Sequence, residues 1–124
     1  MSRRRSRSPQ VAVVLVTCAS MREARRVAGA LVTQRAAACV NFVPNIHSIF
    51  RWQGRVDRAS ETLLIIKTLA SRFTAVRRIV RQFHSYDVPE ILALPVRQGS
   101  PPYLAWVIAS VRPPVRTRRP HAVV

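Results

Sequence analysis

The side chains able to do chemistry in this sequence are few. Soft metal ligands are limited to Cys18, Cys39, His47, His84 and His121, with Met1 and Met21 as thioethers. No C-x-x-C or H-x-x-x-H spacing joins any of them, so a dedicated zinc site is not expected from spacing. The carboxylates are Glu23, Asp57, Glu61, Asp87 and Glu90, and none is spaced as an acid–base pair. There is no G-x-x-x-x-G-K-S, G-x-G-x-x-G or G-x-S-x-G, and three glycines are too few for a phosphate-cradling loop. No nucleophile–base pair can be argued, so an enzyme is not expected. One segment is dense in polar function: His84-Ser85-Tyr86-Asp87-Val88-Pro89-Glu90-Ile91 places an imidazole, a phenol and two carboxylates in one loop. His84 also suits the end of a helix, where an imidazolium meets the negative end of the dipole. Cys18 and Cys39 read most simply as small buried hydrophobes in strands that need not be neighbours.

The elements that must position these groups follow from hydrophobic period. Residues 11–17 are apolar and β-branched, as in a strand covered on both faces. They follow a basic stretch, as in an export signal. The run is short for that purpose, and cleavage there would remove a central strand, so a strand is expected. Ser20 and Glu23 form a capping box for a helix whose apolar face is Ala24, Val27, Ala28, Leu31 and Val32. Residues 39–43 form a second strand, ended or bulged by Pro44. Residues 46–52 continue extended, and Gln53-Gly54 turns them back into Arg55-Val56. Residues 61–68 are a further strand. Ser71 is expected to cap a second helix with Phe73, Val76, Ile79, Val80 and Phe83 on one face and Arg77, Arg78 and Arg81 on the other. Residues 90–96 make a last strand, and Ser100-Pro101-Pro102 starts a closing helix.

This order predicts an α+β, ferredoxin-like fold: βαββαβ plus a C-terminal helix, an antiparallel sheet and two helices on one face. The other face stays apolar and uncovered, which predicts self-association. Residues 10–111 form the expected domain.

Charge divides the chain differently. There are 21 basic and 5 acidic residues, a net charge of +16, and Lys67 is the only lysine. Arg3, Arg4, Arg5 and Arg7 precede the first apolar run, and Arg112, Arg116, Arg118 and Arg119 follow the last. Residues 1–9 and 112–124 therefore read as disordered Arg-rich tails, with an anionic partner or nucleic acid as their expected contact. No apolar stretch approaches the roughly 20 residues of a membrane span, so no membrane partner is expected. Two cysteines without a framework point to reduced thiols and a cytoplasmic location.

Six segments occur in an order that resembles the CutA family of divalent-cation tolerance proteins. They are Val14-Leu15-Val16-Thr17-Cys18, Ala37-Ala38-Cys39-Val40-Asn41, Phe50-Arg51-Trp52-Gln53-Gly54-Arg55-Val56, Glu61-Thr62-Leu63-Leu64-Ile65-Ile66-Lys67-Thr68, the 84–91 loop, and Tyr103-Leu104-Ala105-Trp106. The resemblance implies a homotrimer similar in fold to the PII signalling proteins, a role in copper and divalent-metal tolerance, and no established catalysis. It implies Cys18 and His84 as metal ligands, copper as Cu(I) or Cu(II) as the only cofactor, and Trp52, Lys67, Tyr86 and Glu90 in an intersubunit cleft. Ser85 and Asp87 stand where the family loop usually has proline and glutamate. Two alternatives stand beside it: a PII-like regulatory module binding a small anion or nucleotide in the intersubunit clefts, and a nucleic-acid-associated protein using its Arg-rich tails and helix faces.

Overall fold

The computed structural model describes residues 9–113. The tails expected over 1–9 and 112–124 lie almost wholly outside the described residues. The elements run β1 (Val11–Cys18), α1 (Met21–Thr33), β2 (Cys39–Trp52), β3 (Arg55–Leu69), α2 (Phe73–Phe83), β4 (Ile91–Pro95) and α3 (Pro101–Val111). The four strands form one sheet in the order β2-β3-β1-β4, and every pairing is antiparallel. This is the ferredoxin-like arrangement expected from the alternation of periods.

Side chains alternate across a strand, so each strand sends every second residue to the same face. Val14, Val16 and Cys18 of β1 join Leu64 and Ile66 of β3 under Ala24, Val27 and Leu31 of α1 and Val76, Ile79 and Val80 of α2. All of these are fully buried, and both long helices pack on this one face. The opposite face is covered only at one end, where Val107 and Val111 of α3 pack on Val11 and Leu69. Beyond α3 this side leaves Leu92, Leu94 and Val43 exposed, and Ile49, Phe50, Trp52 and Val56 are exposed along the β2–β3 arm.

Local rules set the boundaries. Ser20 Oγ accepts from the Glu23 N–H at 3.1 Å, as half of the expected capping box. The other half differs: Glu23 Oε2 accepts from Ala19 N–H at 3.4 Å, one residue before the cap. Pro44 does not end its strand. It sits with Asn45, at φ 58°, in a bulge between Val43 and Ile46, and β2 continues as a single 14-residue strand. Gln53 and Gly54 both take positive φ, 51° and 77°, as a two-residue type I′ turn requires. Ser71 is not a cap. It lies inside a short 3₁₀ turn at Ala70–Arg72, and α2 begins at Phe73 with no side-chain cap.

One buried polar group ties the sheet to the α1–β2 turn. Thr68 is fully buried, and its hydroxyl donates to the Ala36 carbonyl at 2.6 Å. Thr68→Val keeps the shape and orphans that carbonyl, so we expect a loss of roughly 1–3 kcal/mol in urea unfolding. Thr68→Ser should recover most of it; a Val variant as stable as the parent would show the bond to be dispensable.

Candidate functional site

Cys18 closes β1, Glu23 lies in the first turn of α1, and His84 follows α2. Sequence separation hides their proximity; the antiparallel return of α1 and α2 over the sheet creates it. One ligand atom from each, the Cys18 Sγ, a Glu23 carboxylate oxygen and a His84 ring nitrogen, lies within 4.8 Å of the others.

Each of the three is held by protein partners. The His84 N–H closes α2 on the Val80 carbonyl at 2.9 Å, and the residue then turns to extended backbone. Its ring spans two contacts. Nε2 lies 2.7 Å from the Thr17 carbonyl, and Nδ1 accepts from the Tyr86 N–H at 3.1 Å. A carbonyl only accepts, so Nε2 must carry the proton and Nδ1 the lone pair. The ring is thus a neutral tautomer, not the imidazolium that its place at a helix end suggested. Glu23 Oε1 accepts from the Ser85 N–H at 3.1 Å, while Oε2 stands 3.6 Å from His84 Nδ1. This carboxylate latches the 84–90 loop to the start of α1.

Cys18 is fully buried. Burial pushes its thiol up to about 12, and the nearby Glu23 and Glu61 carboxylates act in the same direction, Glu23 also accepting its hydrogen bond. Cys18 is therefore a thiol at neutral pH. Sulfur, imidazole nitrogen and carboxylate oxygen are the donor set of a thiophilic cation. Donors around a tetrahedral ion sit about 3.5 Å apart, so the three need only a modest contraction. The group fits such a cation in kind, with two conditions: Cys18 must release its proton, and His84 Nδ1 must release the Tyr86 N–H.

On the other side of the same loop lies an open cleft of about 960 Å³. The β2–β3 arm forms one wall and residues 86–90 the other. The Tyr86 hydroxyl donates to Glu61 Oε2 at 2.8 Å, and its ring meets His84 edge-on at 4.8 Å between centroids. Burial pushes the Tyr86 phenol up to about 12, with its bond to Glu61 and that group's charge adding to the rise. Trp52, Tyr86 and Glu90 line this cleft. Lys67 does not; it stands further along β3, opposite Val13 and Cys39. Cys39 itself is only half-buried, and β3 separates its strand from that of Cys18; both thiols are free.

Two participants were not singled out from sequence. Glu23 carried a capping signature that accounted for it locally, and nothing in spacing showed its carboxylate reaching Ser85. Glu61 looked like the first residue of a strand, whereas it is buried and fixes Tyr86.

Comparison with known proteins gives a consistent result. The family model described as CutA1 divalent ion tolerance protein matches residues 12–110. The chain is 47% identical over 97 residues to the mouse "Protein CutA", covering 78% of this chain and 55% of the mouse protein. It is 48% identical over 95 residues to the "Divalent-cation tolerance protein CutA" of Thermus thermophilus, covering 77% and 92%. The Thermus structure superposes with a TM-score of 0.79 at 46% identity, covering 81% of this chain and 97% of that one. CutA1 from Oryza sativa superposes with a TM-score of 0.81 at 42% identity, covering 86% and 97%. The chain spans about half the length of the mammalian relatives it matches.

Proposed function

This chain belongs to the CutA1 divalent ion tolerance family, and from that premise we propose that it is a trimeric metal-binding protein of divalent-cation tolerance. In this reading Cys18 and His84 are the ligands, and Glu23 is the third donor. The observation that carries it is the convergence of those three donors, from three separate elements, to within 4.8 Å. Copper is the proposed ion, as Cu(I), because a thiol–imidazole set favours a soft cation. Cys18 would supply the sulfur and His84 Nδ1 the nitrogen; the ion's contribution would be to hold the 84–90 loop against β1.

Assembly follows from surface. Leu92 and Leu94 stay about half exposed on a strand of the unfilled sheet face, as does Trp52 on the arm, where Ile49 is 69% exposed. A second and third copy supplies the missing cover, and the cleft then becomes an intersubunit cleft, with Lys67 meeting it from a neighbouring copy. We assign binding and not catalysis, because burial keeps the Cys18 thiol, the one nucleophile of the cluster, protonated at neutral pH. Two free thiols fit a reducing cytoplasm. A small anion suits the cleft of this chain poorly: Asp57, Glu61, Asp87 and Glu90 line it, against Arg58 alone among arginines.

Anaerobic competition with a Cu(I) chelator tests the assignment, with light scattering alongside. Parent protein should bind tightly at a mass three times the 14.0 kDa of one chain. Cys18→Ser and His84→Ala should each lose at least about 10²-fold in affinity. Binding indifferent to both substitutions, with the trimer intact, would remove these residues as ligands. A monomer at micromolar concentration would overturn the assembly.

A further inference from the structure

Charge is sorted between two sides of the fold. Four of the five acidic residues, Asp57, Glu61, Asp87 and Glu90, line the cleft, and the fifth, Glu23, is occupied by Ser85 and Ala19. The outer surface of the two packed helices has the opposite character. Arg22, Arg25 and Arg26 of α1 and Arg77, Arg78 and Arg81 of α2 are all exposed. Among the described residues no arginine guanidinium lies within 4.0 Å of a carboxylate. The two rows adjoin: the Arg26 guanidinium sits 6.0 Å from the centre of the ring of Phe83, two residues after Arg81 on α2.

We infer that this paired-helix face is a docking surface for the phosphate backbone of duplex nucleic acid, independent of metal binding. Charge complementarity carries the choice of partner. Along each helix, arginines one turn apart stand about 6 Å from each other at Cβ, and packed helices lie about 8–10 Å apart. Two such rows meet the dense, regular charge of a duplex, about one phosphate per 1.7 Å of axis, better than the sparse carboxylates of a folded protein. Guanidinium is also the cation that grips phosphate with two parallel hydrogen bonds. The rest of the stripe, Gly29, Thr33, Thr74 and Gln82, is exposed and small or polar; Val32 is its one exposed large apolar residue, and it has no aromatic anchor to enter a lipid surface. The apolar surface is on the other side of the sheet and on the arm, so an assembly that covers it leaves this face open.

The test uses the full chain, a fluorescent 24-base-pair duplex of arbitrary sequence, and anionic phosphatidylserine vesicles as the second probe. Six phosphate contacts predict a loss of about 10³-fold in affinity between 50 and 200 mM salt. Arginines outside the helices add to that slope, so the informative quantity is a difference. R22Q/R25Q/R78Q, with the fold checked by circular dichroism, should flatten the slope of log K against log salt by about 2.7. The matching Arg→Lys variant, which keeps the charge, should retain most of the slope. An unchanged slope in the Gln variant would overturn the proposal, as would vesicle binding that this variant weakens while duplex binding stays as in the parent. No duplex binding by the parent at 50 mM salt would overturn it as well.

Discussion

Iodoacetamide at pH 8 should leave Cys18 essentially unmodified, at a rate at least 10³-fold below that of an unhindered thiol. The attacking species is the thiolate, and a thiol raised from 9.0 to about 12 holds about a thousandth of the usual thiolate fraction at that pH. Burial restricts access further. Alkylation followed by mass spectrometry separates Cys18 from Cys39, which is free and half-buried. Unfolding in guanidinium should restore the ordinary rate at Cys18. A native rate within tenfold of a free thiol would mean that the site is open or the thiolate stabilised. The same proton governs metal capture, since sulfur must lose it to bind. While the thiol is protonated, apparent affinity should climb about tenfold per pH unit, with one proton released per ion.

Linkage gives this shift a second consequence. Cys18 and Tyr86 both titrate higher in the fold than in the unfolded chain, at about 12 against 9.0 and 10.0. A group raised in this way contributes stability in full below its unfolded value and loses it as pH rises through the folded one. The protein should therefore weaken between about pH 9 and 12, because over that range the unfolded chain releases the thiol and phenol protons that the fold still holds. Thermal midpoints across that range should fall less in Cys18→Ser.

The largest loss of stability is expected from Leu64→Ala. Leu64 is fully buried in β3, which has a partner on each side, and it pairs with Val16 on one and Phe42 on the other. It sits in the layer where both helices meet the sheet. Truncation removes apolar burial and leaves a cavity whose walls are strand backbone and two helices, so little can collapse into it. About 2–5 kcal/mol should be lost in urea unfolding, a large part of the stability of a domain this size. Cys18 lies opposite Thr62, two residues along the strand and facing the same layer, so alkylation of Cys18 should quicken in the same variant. A loss below 1 kcal/mol would show that this layer repacks.

The sequence by itself determined what depends on near neighbours. Residues 11–17 and 61–68 were legible as buried strands because each holds a short continuous apolar run, although which alternate side chains face the helices was not. The apolar stripes of α1 and α2, the turn at Gln53-Gly54 and the Ser20 cap are local as well. Ser71 failed as a cap because Thr68, Leu69 and the chain's exit from β3 set the path into α2, and a 3₁₀ turn took the place of the capped start. At Pro44, read as an end or a bulge, the structure has the bulge, and cross-strand pairing resumes at Ile46. Cys18 and His84 could be named through resemblance, yet no spacing placed them together. Only the tertiary structure decided that, by returning both helices to the same end of the sheet. It also added Glu23 to the pair, fixed the tautomer of His84 through Thr17 and Tyr86, and separated Lys67 from Trp52, Tyr86 and Glu90 within the chain. It gathered four carboxylates on one side and left six arginines on the other. Periodicity is a property of one element, whereas convergence is set by the register and crossing of several, and a linear pattern does not contain those.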